Sequence, residues 1–150
     1  MQETATSTPT QDGHERACAC HCGSVRFTAR LPGQLTGVRC NCSICSMKGS
    51  VMIGLPAAHL VVTQGEDLLS CYQFHTMAAK HWFCSRCGIH CFHQRRADAG
   101  QYAVNAACID GVSPYSDFPE LMVADGNNHP NDNGGKSGVA GWLRFEAAPG

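Results

Sequence analysis

Short stretches of alternating apolar and polar residues, rather than a sustained helical period, recur along this chain. Val25-Arg26-Phe27-Thr28-Ala29 alternates with period two, the signature of a half-buried strand, and Pro32-Gly33 marks a turn after it. Gln34 to Arg39 is expected to run back as a second strand that delivers Cys40. Ser43 to Lys48 fits one helical turn, stopped by Gly49. Val51 to Leu55 is an apolar run of strand length ended by Pro56. Leu60 to Thr63 and Leu69 to Phe74 flank Gln64-Gly65-Glu66-Asp67 as the arms of a hairpin. Lys80 to Phe83 enters a C-x-x-C-G turn and Ile89 to His93 leaves it as the partner strand. Tyr102 to Ile109 and Trp142 to Phe145 complete the set, with Phe27, Trp82, Phe83, Trp142 and Phe145 expected in the core. The pattern predicts a mainly β fold with little helix. Strands this short bury modest area each, so they need a staple.

Two stretches fall outside the pattern. Met1 to Glu15 carries Thr, Ser, Gln and Pro with almost no apolar content, which cannot offset the entropy of ordering. A flexible tail over 1–15 is therefore expected to precede one domain over 16–150. Asp110 to Gly141 is rich in Gly, Pro, Asn and Asp and is expected as a long ordered loop, mobile around Asn131 to Gly138. At 150 residues the chain can build one core and not a second.

Charge narrows the function classes. The formal net charge of −1 leaves no broad positive field for a nucleic-acid backbone or an anionic membrane. No apolar run reaches the roughly 18 residues of a membrane span, and Met1 to His14 lacks the basic start and apolar middle of a signal peptide. The sequence therefore reads as a soluble, cytoplasmic protein.

Eleven cysteines change the picture most. An odd number cannot all pair within one chain, and a reducing compartment favours metal ligation over bridges. Seven sit in three clusters: Cys20/Cys22, Cys40/Cys42/Cys45 and Cys84/Cys87. The two pairs, each on a turn followed by glycine, would complete a closed tetrahedron of four thiolates, a structural zinc site. The three thiols at C-x-C and C-x-x-C spacing leave one corner of a second zinc open, which is what distinguishes a catalytic zinc from a structural one. That corner is open to a spare cysteine, to His75, His81, His90 or His93, or to an external molecule. Zinc with three thiolates carries a net charge near −1 and is a weak Lewis acid. It can still hold an incoming thiol as thiolate below the free pKa of about 8.5. Thiol chemistry fits this centre better than hydrolysis.

These residues together resemble the glutathione-dependent formaldehyde-activating enzyme family, whose domain, shared with CENP-V, has the Mss4-like zinc fold of short antiparallel sheets. The resemblance rests on Cys20-His21-Cys22-Gly23 with Val25 and Phe27, on Cys40-Asn41-Cys42-Ser43-Ile44-Cys45 with Gly49, and on Phe83-Cys84-Ser85-Arg86-Cys87-Gly88. Asp125-Gly126-Asn127-Asn128-His129-Pro130 is similar to a segment of many members. The resemblance implies two zinc ions per chain: a structural one on Cys20, Cys22, Cys84 and Cys87, and a catalytic one on Cys40, Cys42 and Cys45. It also implies a carbon–sulfur lyase that joins glutathione to formaldehyde as S-hydroxymethylglutathione, and it leaves a homodimer open.

Two rival readings keep the fold. In one, the open zinc acts on another carbonyl or thioether substrate. In the other, the domain is a non-catalytic interaction module whose second zinc is saturated by Cys91, Cys108 or a histidine. His81, His90 and His93 flank the C-x-x-C-G turn and are candidates to orient substrate, to supply a proton or to support a thiolate. Backbone N–H groups of Asn41 and Ser43 are expected to bond the thiolates, and Asp125, Asn128 and His129 to line the pocket. Glutathione offers two carboxylates, for which Arg39, Lys48, Lys80, Arg86, Arg95 and Arg96 are candidate partners, though each taken singly is expected at the solvated surface.

Overall fold

The computed structural model describes residues 13–136 and 138–150. Strand β1 (His14–Ala19) is followed by β2 (Arg26–Leu31), β3 (Val38–Cys40), helix α1 (Ser43–Lys48), β4 (Met52–Pro56) and β5 (Leu60–Gln64). Then come β6 (Leu69–Tyr72), β7 (Lys80–Cys84), β8 (His90–Gln94), β9 (Gln101–Asn105), β10 (Glu120–Ala124) and β11 (Val139–Arg144). A small sheet has the order β1-β2-β5, and a large one has β11-β10-β3-β4-β9-β8-β7-β6. Every named pair is antiparallel except β10 with β3.

The alternation around Val25 does what period two requires. Phe27, Ala29 and Leu31 point inward from β2 and are at most 1% exposed, while Arg26 and Arg30 point out. They meet Ile53 and Leu55 of β4, Phe92 of β8 and Val104 of β9, so the core lies between the two sheets. The Phe27 and Phe92 rings make an edge contact at 5.3 Å. Helix α1 ends as expected: Gly49 sits at φ +65° and its N–H closes on the Cys45 carbonyl at 3.0 Å.

Several expectations fail for identifiable reasons. Leu60–Gln64 and Leu69–Tyr72 are not a hairpin, because β5 pairs with β2 in the small sheet and β6 with β7 in the large one. Gly65, at φ +74° and packed on the Ser24 carbonyl, carries the chain across between sheets. The second strand is only Val38–Cys40, since Gly37 is wedged where a Cβ would lie 2.6 Å from Val51 Cγ1. The strand expected over Tyr102 to Ile109 stops at Asn105, whose side chain accepts from the Ala107 N–H and starts a 3₁₀ turn. The supposed loop from Asp110 contains β10, whose Leu121-Met122-Val123 run lies within a polar stretch. Trp142 and Phe145 are not core: they are 60% and 42% exposed on or beside edge strand β11. Residues 1–12 of the expected tail lie outside the described residues, while His14 and Glu15 already belong to β1. Around Asn131 the chain makes a 3₁₀ turn, Pro130–Asp132, in which Asp132 takes two bonds from Arg96 at 2.9 and 2.6 Å.

Candidate metal centres and the histidine face beside them

Two tight turns, one after β1 and one after β7, bring Cys20, Cys22, Cys84 and Cys87 together with all four sulfurs within 4.8 Å of one another. Cys20 and Cys22 sulfurs are 3.5 Å apart and those of Cys22 and Cys84 3.8 Å. A zinc tetrahedron with sulfur at about 2.3 Å has edges of about 3.8 Å, so this donor set fits zinc. Gly23 at φ +77° and Gly88 at φ +76° let each turn curl under its sulfurs. The Val25 N–H donates to Cys20 Sγ at 3.3 Å and the Arg86 N–H to Cys84 Sγ at 3.4 Å.

The second cluster is built where β3 hands over to α1. Cys40 ends the strand, Cys42 caps the helix, and Cys45 lies one turn along it; their sulfurs also fall within 4.8 Å of one another. Among the described residues no fourth Cys, His, Asp or Glu donor joins that group. Cys91 and Cys108, the candidate fourth ligands, are buried elsewhere: Cys91 donates to the Ile89 carbonyl and Cys108 to the His90 carbonyl. Hydrogen bonds from the Cys40 and Cys45 thiols pull the Cys42 thiol far below its ordinary range, helped by the Cys45 and Ile44 backbone N–H groups. The same sharing pushes Cys45 upward. Cys42 is thus the first thiolate of the cluster.

The expected backbone donors differ from those found. Cys42 N–H itself donates to Cys40 Sγ at 3.4 Å, whereas Asn41 N–H goes to the Ala124 carbonyl at 3.2 Å. The Asn41 side chain instead pins the segment after β10, donating to Asp125 at 3.2 Å and accepting from the Asn127 N–H at 3.1 Å. Asn128 donates to the other Asp125 oxygen at 2.8 Å. Between them Gly126 lies so close over the thiols that a Cβ there would collide with Cys40 Sγ and lie 2.9 Å from Cys42 Cβ. Burial first, then Arg96, holds His129 below its ordinary pKa, and Asp132 and then the negative Cys42 thiolate pull the other way. The Asp125 segment therefore does border the cluster.

The three histidines gather on one face because of a β-bulge. His81 pairs with His93 and Trp82 with Phe92, but Phe83 pairs with His90, so Cys91 is the extra residue. Without it His90 and His93, three apart, would point to opposite faces. With it His81, His90 and His93 share a face and offer ring nitrogens within 4.8 Å of one another. Trp82 and Phe92 turn to the other face, where Phe92 stacks on Tyr102 and Trp82 packs tilted against both.

Lys48, the last residue of α1, reaches into this face rather than into solvent. Its ammonium donates to His81 Nδ1 at 2.7 Å and to His90 Nε2 at 3.1 Å. Those nitrogens must be unprotonated, which places the protons of the two rings on His81 Nε2 and His90 Nδ1, both buried without a partner. Burial lowers Lys48 to about 8, against the pull of the Cys45 and Cys42 thiolates. Burial and then the Lys48 charge lower His81 to about 4 and His93 to about 3. The sequence offers Lys48 as a candidate carboxylate partner and, taken singly, expects it at the solvated surface; its burial against the histidines is the difference. The available signal was its position three residues after Cys45, which puts both on one face of a helix.

A model of the family described as "glutathione-dependent formaldehyde-activating enzyme" matches residues 15–123, which include all seven clustered cysteines, Lys48 and the three histidines. A crystal structure of a Rhodobacter sphaeroides protein is 41% identical over 65% of this chain and 91% of its own, with a TM-score of 0.63. The sheets described above are the mainly β, Mss4-like arrangement that the sequence resemblance implied. On these grounds the chain belongs to the glutathione-dependent formaldehyde-activating enzyme family.

Proposed function

We propose that this protein is a carbon–sulfur lyase of the S-hydroxymethylglutathione synthase type, joining glutathione to formaldehyde, with Cys40, Cys42 and Cys45 as the reaction centre. Cys20, Cys22, Cys84 and Cys87 hold a structural zinc in this reading, and Cys40, Cys42 and Cys45 a catalytic one. The observation that carries it is a group of three thiols with no fourth protein donor among the described residues. Zinc bound there would ligate an incoming thiol through its open position and keep it ionised below the free pKa of about 8.5.

The chain's own residues do the rest. Cys42, already the most acidic of the three, is fixed by backbone N–H groups and by the helix that begins after it. Asn41 clamps the Asp125 segment over the cluster, and Gly126 keeps that approach free of side chain. Lys48 and His129 lie in the electrostatic field of Cys42 and offer hydrogen bonds or positive charge to the two carboxylates of glutathione, with Arg95 and Arg96 adding positive charge beside His129. As the sulfur–carbon bond forms, the carbonyl electron pair moves onto oxygen, and that oxygen takes the proton the thiol gave up. Lys48, lowered to about 8, is suited to carry it.

Cobalt-substituted protein titrated with glutathione tests the open corner. The expected result is a saturable increase in sulfur-to-cobalt charge transfer that the Cys42→Ser variant lacks. No change in the wild-type spectrum at millimolar glutathione contradicts this reading and favours the interaction module.

A further inference from the structure

Strands β7 and β8 carry a donor set that thiol activation does not use. We propose that His81, His90 and His93 form a third metal site, for a divalent ion of the zinc class, from which Lys48 withdraws when the ion enters.

Four observations carry this. One ring nitrogen from each histidine lies within 4.8 Å of the others, and the ring centroids are 5.2, 5.5 and 6.1 Å apart. Zinc bound by three imidazoles at about 2.0–2.1 Å places ring centres about 5 Å apart, so small side-chain rotations close the site. The arrangement is bought by a β-bulge, since only the extra residue Cys91 turns His90 to the same face as His93. His81 is only 5% exposed, so the face it shares with His90 and His93 is shielded from bulk water.

The fourth observation is that the face already selects a cation. Lys48 Nζ marks the point on which the lone pairs of His81 and His90 converge, at 2.7 and 3.1 Å. No salt bridge joins Lys48 to a carboxylate among the described residues. A mobile four-carbon stem can leave this position, and a divalent ion replaces its single charge with two. An ion on three neutral imidazoles keeps its full charge, whereas three thiolates cancel theirs. Such an ion would polarise an aldehyde oxygen better than the thiolate zinc, a clause that rests on the function proposed above.

The test is metal stoichiometry in untagged full-length protein, saturated with zinc and freed of excess, by elemental analysis. About three zinc ions per chain are expected in the wild type and about two in His90→Ala/His93→Ala. In Lys48→Met the third ion should bind at least tenfold more tightly, because its competitor is gone. With cobalt, the cysteine sites give intense near-ultraviolet charge transfer, while the histidine site adds only weak visible bands. Unchanged charge transfer in the double variant shows that it has folded. If that variant is insoluble, the wild-type cobalt titration still decides, since a further equivalent without sulfur intensity is the expected signature. No such equivalent in the wild type and in Lys48→Met overturns the proposal, as does one that persists in a folded histidine variant. Failure of the three-cysteine site would instead remove sulfur intensity and leave the imidazole signature in place.

Discussion

Gly126 shows how much one residue can decide. Its backbone lies against Cys40 and Cys42, so any side chain must push either the thiols or the Asp125 segment away. Gly126→Val is expected to lose the sulfur-to-cobalt intensity of the three-cysteine site and retain that of the four-cysteine site, read by titration with cobalt. The histidine face makes a pH prediction. Burial holds His81 and His93 neutral, with values of about 4 and about 3 against 6.5 when unfolded. Between those limits the unfolded chain binds more protons, so stability is fully present above pH 6.5 and falls as the pH drops toward 4. Burial likewise lowers His90, to about 2, so urea midpoints at pH 7, 6 and 5 should decline in that order, and His81→Asn/His93→Asn should make the decline shallower while His90 keeps part of it. An equal slope in that variant would place the acid sensitivity elsewhere.

At the scale of elements, the site is made where strands end. Strand β3 delivers Cys40, α1 carries Cys45 and Lys48, and β10 runs parallel to β3 so that Asp125 arrives beside Asn41. Val123→Pro in β10 removes a ladder donor between β3 and β11, and should weaken metal binding at the three-cysteine cluster while sparing the four-cysteine one. The cysteine clusters were legible from spacing alone, because ligand geometry fixes how many residues separate two sulfurs on one turn. The strand carrying Phe27 and the helix stopped by Gly49 were legible for equally local reasons. Strand β10 was not, since its pairing with β3 is long-range and its neighbours in sequence are turn-forming. The face shared by His90 and His93 was hidden as well: period two separates them, and only the bulge at Cys91 reunites them.

Across the whole molecule, the two cysteine groups have different positions in the architecture. Cys20 and Cys22 follow β1 of the small sheet, while Cys84 ends β7 of the large one and Cys87 follows it, so a metal there ties the sheets together. Structural zinc can contribute on the order of 10 kcal/mol to folding. Cys84→Ser should therefore leave insoluble or unfolded protein, whereas Cys42→Ser should melt within a few degrees of the wild type; equal collapse of both would count against separate roles. No described helix is long and apolar enough to cross a membrane. The most direct test of the thiol-adding function is exchange NMR at equilibrium among glutathione, formaldehyde and their adduct, with zinc-loaded wild type and Cys42→Ser. Exchange above the protein-free rate is expected with the wild type and none above it with the variant. Exchange at the protein-free rate in fully zinc-loaded wild type would contradict it.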